Sequence, residues 1–200
     1  MQFIEDIAEL EALYGPAAPN ALTKVSPVLT PHYRAWIGAA RFCVLSTVGP
    51  EGTDGSPRGD DGPVVRIVDD RTLWLPDWRG NNRIDTLRNI LRDGRIAVMF
   101  MVPGCTNVVR VNGRARLTAD EEVTGHFEQR GRYPRSVIVI GVEEVYFQCA
   151  KALMRSGLWT RQGDAEGLPT AGQFIREMQD AFDAEGYDAG YAEYARGRMW

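Results

Sequence analysis

Hydrophobic and polar positions alternate most regularly at residues 107–118, NVVRVNGRARLT. There Val109, Val111, Gly113, Ala115 and Leu117 interleave with Arg110, Asn112, Arg114 and Arg116. A period of two with one apolar and one charged side predicts a strand buried on one face and polar on the other. Five further runs, RFCVLSTV (41–48), PVVRIV (63–68), TLWLP (72–76), RIAVMFMV (95–102) and SVIVIGVEEVYF (136–147), are rich in branched and aromatic residues and bounded by Gly, Pro or Asp. Such runs mark strands. Asp69, Asp70 and Arg71 predict a tight turn that makes 63–68 and 72–76 a hairpin. Six strands joined mostly by short turns predict an antiparallel barrel rather than a parallel α/β sheet.

Helical spacing appears outside and between these runs. Phe3, Ile7 and Leu10 predict a helix over 2–13 that Gly15-Pro16 ends, and Pro31 behind Thr30 predicts one over 32–40 with Thr30 as its cap. Two more are predicted at 82–92 and 120–130, the second opened by a capping box of Thr118 and Glu121. The tail reads as CAKALMRSG and then AGQFIREMQDAFDAEG, with Phe174, Met178 and Phe182 recurring every fourth position and Asp180, Asp183 and Glu185 on a solvated face. The chain is thus expected to be one domain over 1–200. It has an N-terminal helical extension (1–40), a barrel core (41–149) and a C-terminal helical segment (150–200).

Composition narrows the class. At 200 residues, 44% hydrophobic and 25% charged, the chain can bury its own core and is neither mainly disordered nor membrane-spanning. No apolar run approaches the roughly 20 residues of a spanning helix. The acidic, amphipathic start lacks the pattern of a secretory signal, so a cytoplasmic location is expected. Cys43, Cys105 and Cys149 lie far apart and read as small core hydrophobes. His32 and His126 have no ligand-spaced neighbours, so neither a metal site nor a His-based triad is expected.

Charge is uneven. Residues 58–116 hold eleven Arg, no Lys and seven Asp, while the whole chain is at −4. A basic centre in an acidic chain points to a site for an anion. The stretch PDWRGNNRIDTLRNI (76–90) concentrates it. Read as strand exit, loop and helix, it makes Asn82 the cap, puts Arg83 in the first turn, and buries Ile84, Leu87, Ile90 and Leu91. A cation in a first turn opposes the helix dipole unless an anion sits with it. The alternative is that Arg79 and Arg83 face water over a capped turn. Arg66 lies between Val64 and Val68 in a run apolar on both faces, so it is expected to be buried and to need a charge partner, Asp69, Asp85 or a ligand phosphate. The loop GPEGTDGSPRGDDGP is glycine-rich but matches neither a Walker A loop nor a dinucleotide-binding loop.

Taken together, SPRG (56–59), residues 64–104, VRVNGRARLT (109–118) and KALMRSGLW (151–159) resemble the split-barrel flavoproteins related to pyridoxamine 5′-phosphate oxidase, and in particular a bacterial FMN-dependent branch. The resemblance covers roughly residues 40–160. It implies a mainly β fold with flanking helices, a six-stranded antiparallel split β-barrel, and FMN bound at a homodimer interface. By motif, Arg66 and the run Asn81, Asn82 and Arg83 would hold the phosphate, with Val65 also among the cofactor-binding residues. Ser56, Pro57 and Arg58 would run beside the isoalloxazine, and Trp78 and Arg79 would line the loop. Val108, Arg110, Asn112, Lys151, Arg155, Ser156 and Trp159 would come from the partner subunit. The Trp-Gly-Gly and Arg-x-His-Asp-Arg elements of the true oxidases are missing, so the expected function is an FMN-dependent oxidoreductase on another small molecule, with NAD(P)H a candidate reductant. The alternative is a non-catalytic flavin, deazaflavin or haem carrier of the same fold. Negative overall charge and the lack of an aromatic-basic motif disfavour nucleic acid.

Overall fold

The structure, a computed structural model, describes residues 1–200. Three helices, α1 (Ile7–Tyr14), α2 (Pro19–Thr23) and α3 (Pro31–Ala39), precede the strands β1 (Phe42–Gly49), β2 (Gly52–Gly59), β3 (Arg66–Ile67) and β4 (Thr72–Asp77). Helix α4 (Asp85–Arg92), β5 (Arg95–Met101), β6 (Val108–Thr118), α5 (Glu121–Thr124) and β7 (Ser136–Gln148) follow. The chain ends in α6 (Lys151–Ser156), a 3-10 turn, α7 (Ala171–Met178) and α8 (Ala184–Arg196). No helix is long and apolar enough to cross a membrane.

All strand pairs are antiparallel, in one sheet ordered β2-β1-β5-β6-β7-β4-β3, so the split barrel has seven strands rather than six. The extra strand is β2, GTDGSPRG, which pairs with β1 from Phe42↔Gly59 to Gly49↔Gly52. It has no apolar periodicity because it is an edge strand held by its pairing with β1, and Pro57, which has no N–H to give, is tolerated there. The opposite edge is β3, only two residues long, joined to β4 by the predicted turn. There Arg71 N–H donates to Asp69 Oδ1 at 2.7 Å, and that bond is the main reason the Asp69 carboxyl is held below its usual range.

The core lies on one face of the sheet. Leu45, Val98, Phe100, Val109, Val111, Ile138 and Ile140 are buried, joined by Ile37 of α3 and Ile90 of α4. The alternation in β6 is as the sequence predicts, with Val109, Val111, Gly113 and Ala115 buried and Arg114 and Arg116 exposed. A bulge at Asn112/Gly113 brings Gly113 against the Gly141 carbonyl of β7, leaving no room for a side chain.

Several expected elements differ. The 120–130 helix shrinks to the single turn of α5, capped by Asp120 Oδ1 accepting from Glu122 N–H at 2.9 Å, while Thr118 Oγ1 accepts from Asp120 N–H. The tail helix breaks between Met178 and Ala184, so Phe174 and Met178 are exposed rather than one continuous stripe. Its acids are not simply solvated. Asp183 caps α8, and Glu185 accepts twice from Arg176 Nη1 at 2.8 and 3.0 Å, which lowers its carboxyl pKa. Only Cys43 is a core cysteine, since Cys105 is half-buried and Cys149 exposed. Burial pushes the Cys43 thiol up to about 12, with Arg58 partly opposing it. Brief alkylation near pH ~8 is therefore expected to label Cys149 first and to leave Cys43 unmodified until the protein is denatured, as read by peptide mass spectrometry. Labelling of Cys43 in the native protein would overturn its placement.

Candidate functional site

Two of the predicted segments meet. Arg58, on β2, forms an ion pair with Asp77 at the end of β4, with both side chains about four-fifths buried (18% and 19% exposed). Arg58 Nε also donates to Ser56 Oγ at 3.1 Å. One residue beyond the pair, Trp78 Nε1 donates to Asp60 Oδ2 at 2.7 Å. The SPRGD and PDW stretches are thus tied together twice, and the loop to α4 leaves from that junction.

The loop itself is strained. Asn82 and Ile84 lie at φ 62° and 53°, in the left-handed region. An asparagine adopts that region readily, but a β-branched isoleucine there is an outlier. Helix α4 consequently begins at Asp85, with Ile84 rather than Asn82 at its cap position. Arg83 is therefore not in the first helical turn. It precedes the helix, is 77% exposed, and pairs with Asp85 at 2.9 Å. The same kink turns Ile84 outward, and Leu91 is exposed too. Of the expected stripe, Ile90 is buried and Leu87 packs half-buried against the core, and Thr86 and Asn89 complete the buried face of α4. Asn89 Nδ2 donates to Thr47 Oγ1 at 3.2 Å, and Thr86 Oγ1 donates to Asp54 on β2. Asn81 Oδ1 accepts from Arg83 N–H at 3.0 Å, an Asx turn that fixes the loop's exit.

Arg66 is exposed rather than buried, because β3 is too short to enclose it and only Val64 and Val65 turn inward. Its side chain and that of Arg79 take no hydrogen bond or ion pair in the chain, so neither Asp69 nor Asp85 is the partner of Arg66.

The remaining predicted residues lie elsewhere. Register places Arg110 beside Met99 and Val44, and Asn112 beside Ala97 and Ser46, on the face of the sheet opposite the core. They help line a groove of about 320 Å³ whose other walls include Val48 and Arg95. Arg110 Nε donates to Asn112 Oδ1 at 2.9 Å, and Asn112 Nδ2 to Glu144 Oε1 at 2.5 Å. Val108 is buried. In α6, Lys151, Arg155 and Ser156 are exposed, and Trp159 just beyond donates its indole N–H to the Cys105 carbonyl at 2.8 Å. Within one chain the structure joins Ser56 and Arg58 to Trp78 and the 79–83 loop. It does not join these to the groove or to α6.

Asp60 is the residue that sequence reasoning missed. Besides Trp78, it accepts from Gln129 Nε2 at 3.2 Å and Trp200 Nε1 at 3.3 Å. Its partners lie 18, 69 and 140 positions away, so no local pattern could have shown them.

Residues 29–149 match the family described as Pyridoxamine 5′-phosphate oxidase. A comparison with curated proteins finds no match. Among solved structures the chain is similar to HupZ of Group A Streptococcus (23% identity, 58% of this chain and 90% of that one, TM-score 0.47). It is also similar to General Stress Protein 26 of Bacillus anthracis (17%, 56% and 88%, TM-score 0.42) and to an FMN-binding protein of Syntrophomonas wolfei (13%, 58% and 83%, TM-score 0.46).

Proposed function

Because the chain belongs to the pyridoxamine 5′-phosphate oxidase family, we propose that it binds FMN as a homodimer and is an FMN-dependent oxidoreductase acting on a small molecule other than pyridoxamine phosphate. The observation that carries this reading is the double tie between the SPRGD and PDW stretches, Arg58 to Asp77 and Trp78 to Asp60, beside a strained loop rich in donors.

The donor set suits a phosphate. Arg79 and Arg66 are uncommitted, Arg83 shares its charge only with exposed Asp85, and the amide nitrogens of Asn81 and Asn82 donate to nothing in the chain. Asn81, Asn82 and Arg83 would hold the phosphate by charge-assisted bonds, with Arg79 and Arg66 adding positive potential. Ser56 and Arg58 would fix the neighbouring strand against it. The groove with Arg110 and Asn112, and the exposed α6 residues Lys151, Arg155 and Ser156, would serve the site across the subunit interface. The bound flavin supplies the hydride-transfer chemistry, so the protein needs no nucleophile of its own.

The absorbance spectrum of freshly purified protein tests this directly. A yellow protein that releases FMN on denaturation is expected, and a colourless one that also fails to bind added FMN would refute it. Arg83→Ala is expected to weaken FMN binding by about 1–2 kcal/mol, roughly 5- to 30-fold. That lies toward the low end of a charged hydrogen bond because the side chain is exposed and partly satisfied by Asp85. Fluorescence quenching of titrated FMN reads the change, and an unaltered affinity would remove Arg83 from the site. Anaerobic mixing with NADH or NADPH then distinguishes an enzyme, whose flavin bleaches, from a carrier.

A further inference from the structure

Asp60 differs from the other carboxylates around the candidate site in being held by N–H donors alone. Asp77 pairs with Arg58 and Asp85 with Arg83, whereas Asp60 is in none of the chain's ion pairs. Its Oδ2 accepts from Trp78 Nε1 at 2.7 Å. Its Oδ1 accepts from the Asp61 N–H at 2.7 Å, from Gln129 Nε2 at 3.2 Å and from Trp200 Nε1 at 3.3 Å. An ionised carboxylate accepts on both oxygens, whereas an amide of the same shape would turn an NH2 group toward at least one of these donors. Shape alone therefore does not account for an aspartate here.

The donors come from three separate parts of the chain. Trp78 opens the loop to α4. Gln129 belongs to a two-residue turn in which it exchanges both backbone hydrogen bonds with Arg132. Trp200 follows α8, which packs against α7, with Asp188 accepting from Thr170 Oγ1 and from the Gly172 N–H. This helical hairpin is fastened to the barrel around Trp200. The indole N–H is given to Asp60, the Arg130 guanidinium lies over the ring at 4.6 Å, and Arg132 Nη1 donates to the Gly197 carbonyl at 3.1 Å. The loop that leaves Trp78 carries left-handed Asn82 and Ile84, and such backbone persists only where the surrounding structure holds it. Its exit is held by the Asx turn of Asn81, and its entrance by Asp60.

We propose that Asp60 is a positioning residue for the 78–83 loop and that Trp200 sets it, so that the C-terminal hairpin governs the conformation of a loop it does not enter. Without the Trp200 bond, Asp60 Oδ1 is left to Gln129 and Asp61, the carboxylate is free to turn, and Trp78 turns with it. Whatever draws the hairpin off the barrel then loosens the loop. By linkage, a ligand that orders the loop also holds the hairpin down. That the loop serves a cofactor rests on the flavin reading above, whereas the coupling of Trp200 to the loop does not.

Amide hydrogen exchange, followed by peptide mass spectrometry on the whole chain without added cofactor, tests the coupling. Asp60→Asn is expected to speed exchange across residues 78–84 by about tenfold or more, and Trp200→Phe, which removes the N–H and keeps a ring, by about three- to tenfold, the scale of hydrogen bonds to a charged group. Asp60→Asn/Trp200→Phe should match Asp60→Asn alone, because Trp200 acts through the carboxylate. A loss of packing would add instead. Tyr194→Phe, a change in the same hairpin away from Asp60, should leave the loop as it is, and the β6 peptide 108–118 should stay protected in every variant. FMN titration should repeat the pattern, with Trp200→Phe weakening binding in the parent and having no further effect beside Asp60→Asn. Unchanged loop exchange in Asp60→Asn, or a Trp200→Phe effect of equal size with and without the Asp60 carboxylate, would overturn the proposal. Should the parent protein take up no FMN, the flavin reading falls and the exchange result alone decides this one.

Discussion

Gly113→Ala is expected to cost on the order of 3 kcal/mol or more of folding stability, read as a fall in the urea midpoint. At the β6 bulge an added methyl would overlap the Gly141 carbonyl oxygen, and it would lie 3.1 Å from the Gly141 carbonyl carbon and 3.2 Å from the Glu143 nitrogen. All three are backbone atoms of β7, so no flexible side chain can give way. Relief requires parting β6 from β7, which are paired along eleven positions from Val108 to Thr118. Gly55→Ala is the matched control, because nothing lies within 4 Å of a methyl there, and it should change stability by less than about 0.5 kcal/mol. If the two variants unfold alike, the bulge is not where the register places it.

Arg58→Leu is expected to be nearly as damaging, at about 2–3 kcal/mol, and to impair FMN binding as well. Removing one partner of a fully buried pair typically costs about 3–5 kcal/mol because the remaining charge is stranded. Here roughly a fifth of each side chain still meets water, which moderates the loss. The stranded group is Asp77, directly before the loop that carries Trp78 and Arg83, so its rearrangement would displace that loop. Arg58→Leu/Asp77→Leu should recover part of the stability without recovering the flavin. Equal destabilisation of the single and double variants would show that Asp77 is not stranded, and would contradict the pairing.

How much of this was legible follows from what a hydrophobic pattern records, namely burial. β6 was plain because one of its faces is core and the other is not, and its alternation survives even the bulge. β2 was invisible because GTDGSPRG is held by backbone pairing to β1, which leaves no apolar period. Arg66 misled for the opposite reason: valines at 64, 65 and 68 imply a buried strand, yet only Arg66 and Ile67 pair, so period-two logic had too little strand to act on. At the candidate site the loop's composition was readable, but not its backbone. Left-handed Asn82 and Ile84 move the helix start to Asp85 and put Arg83 outside it. The Asp60 junction assembles side chains far apart in sequence and becomes visible only once the chain is folded.

The two margins of the sheet have a consequence for crowding and misassembly. One rim is β2, interrupted by Pro57 and by charged Asp54 and Arg58, and the other offers just two residues, Arg66 and Ile67. A foreign strand, or an unfolded copy of the chain, finds no long flat template at either rim. Ordered polymer growth by strand addition is thus denied a ready seed.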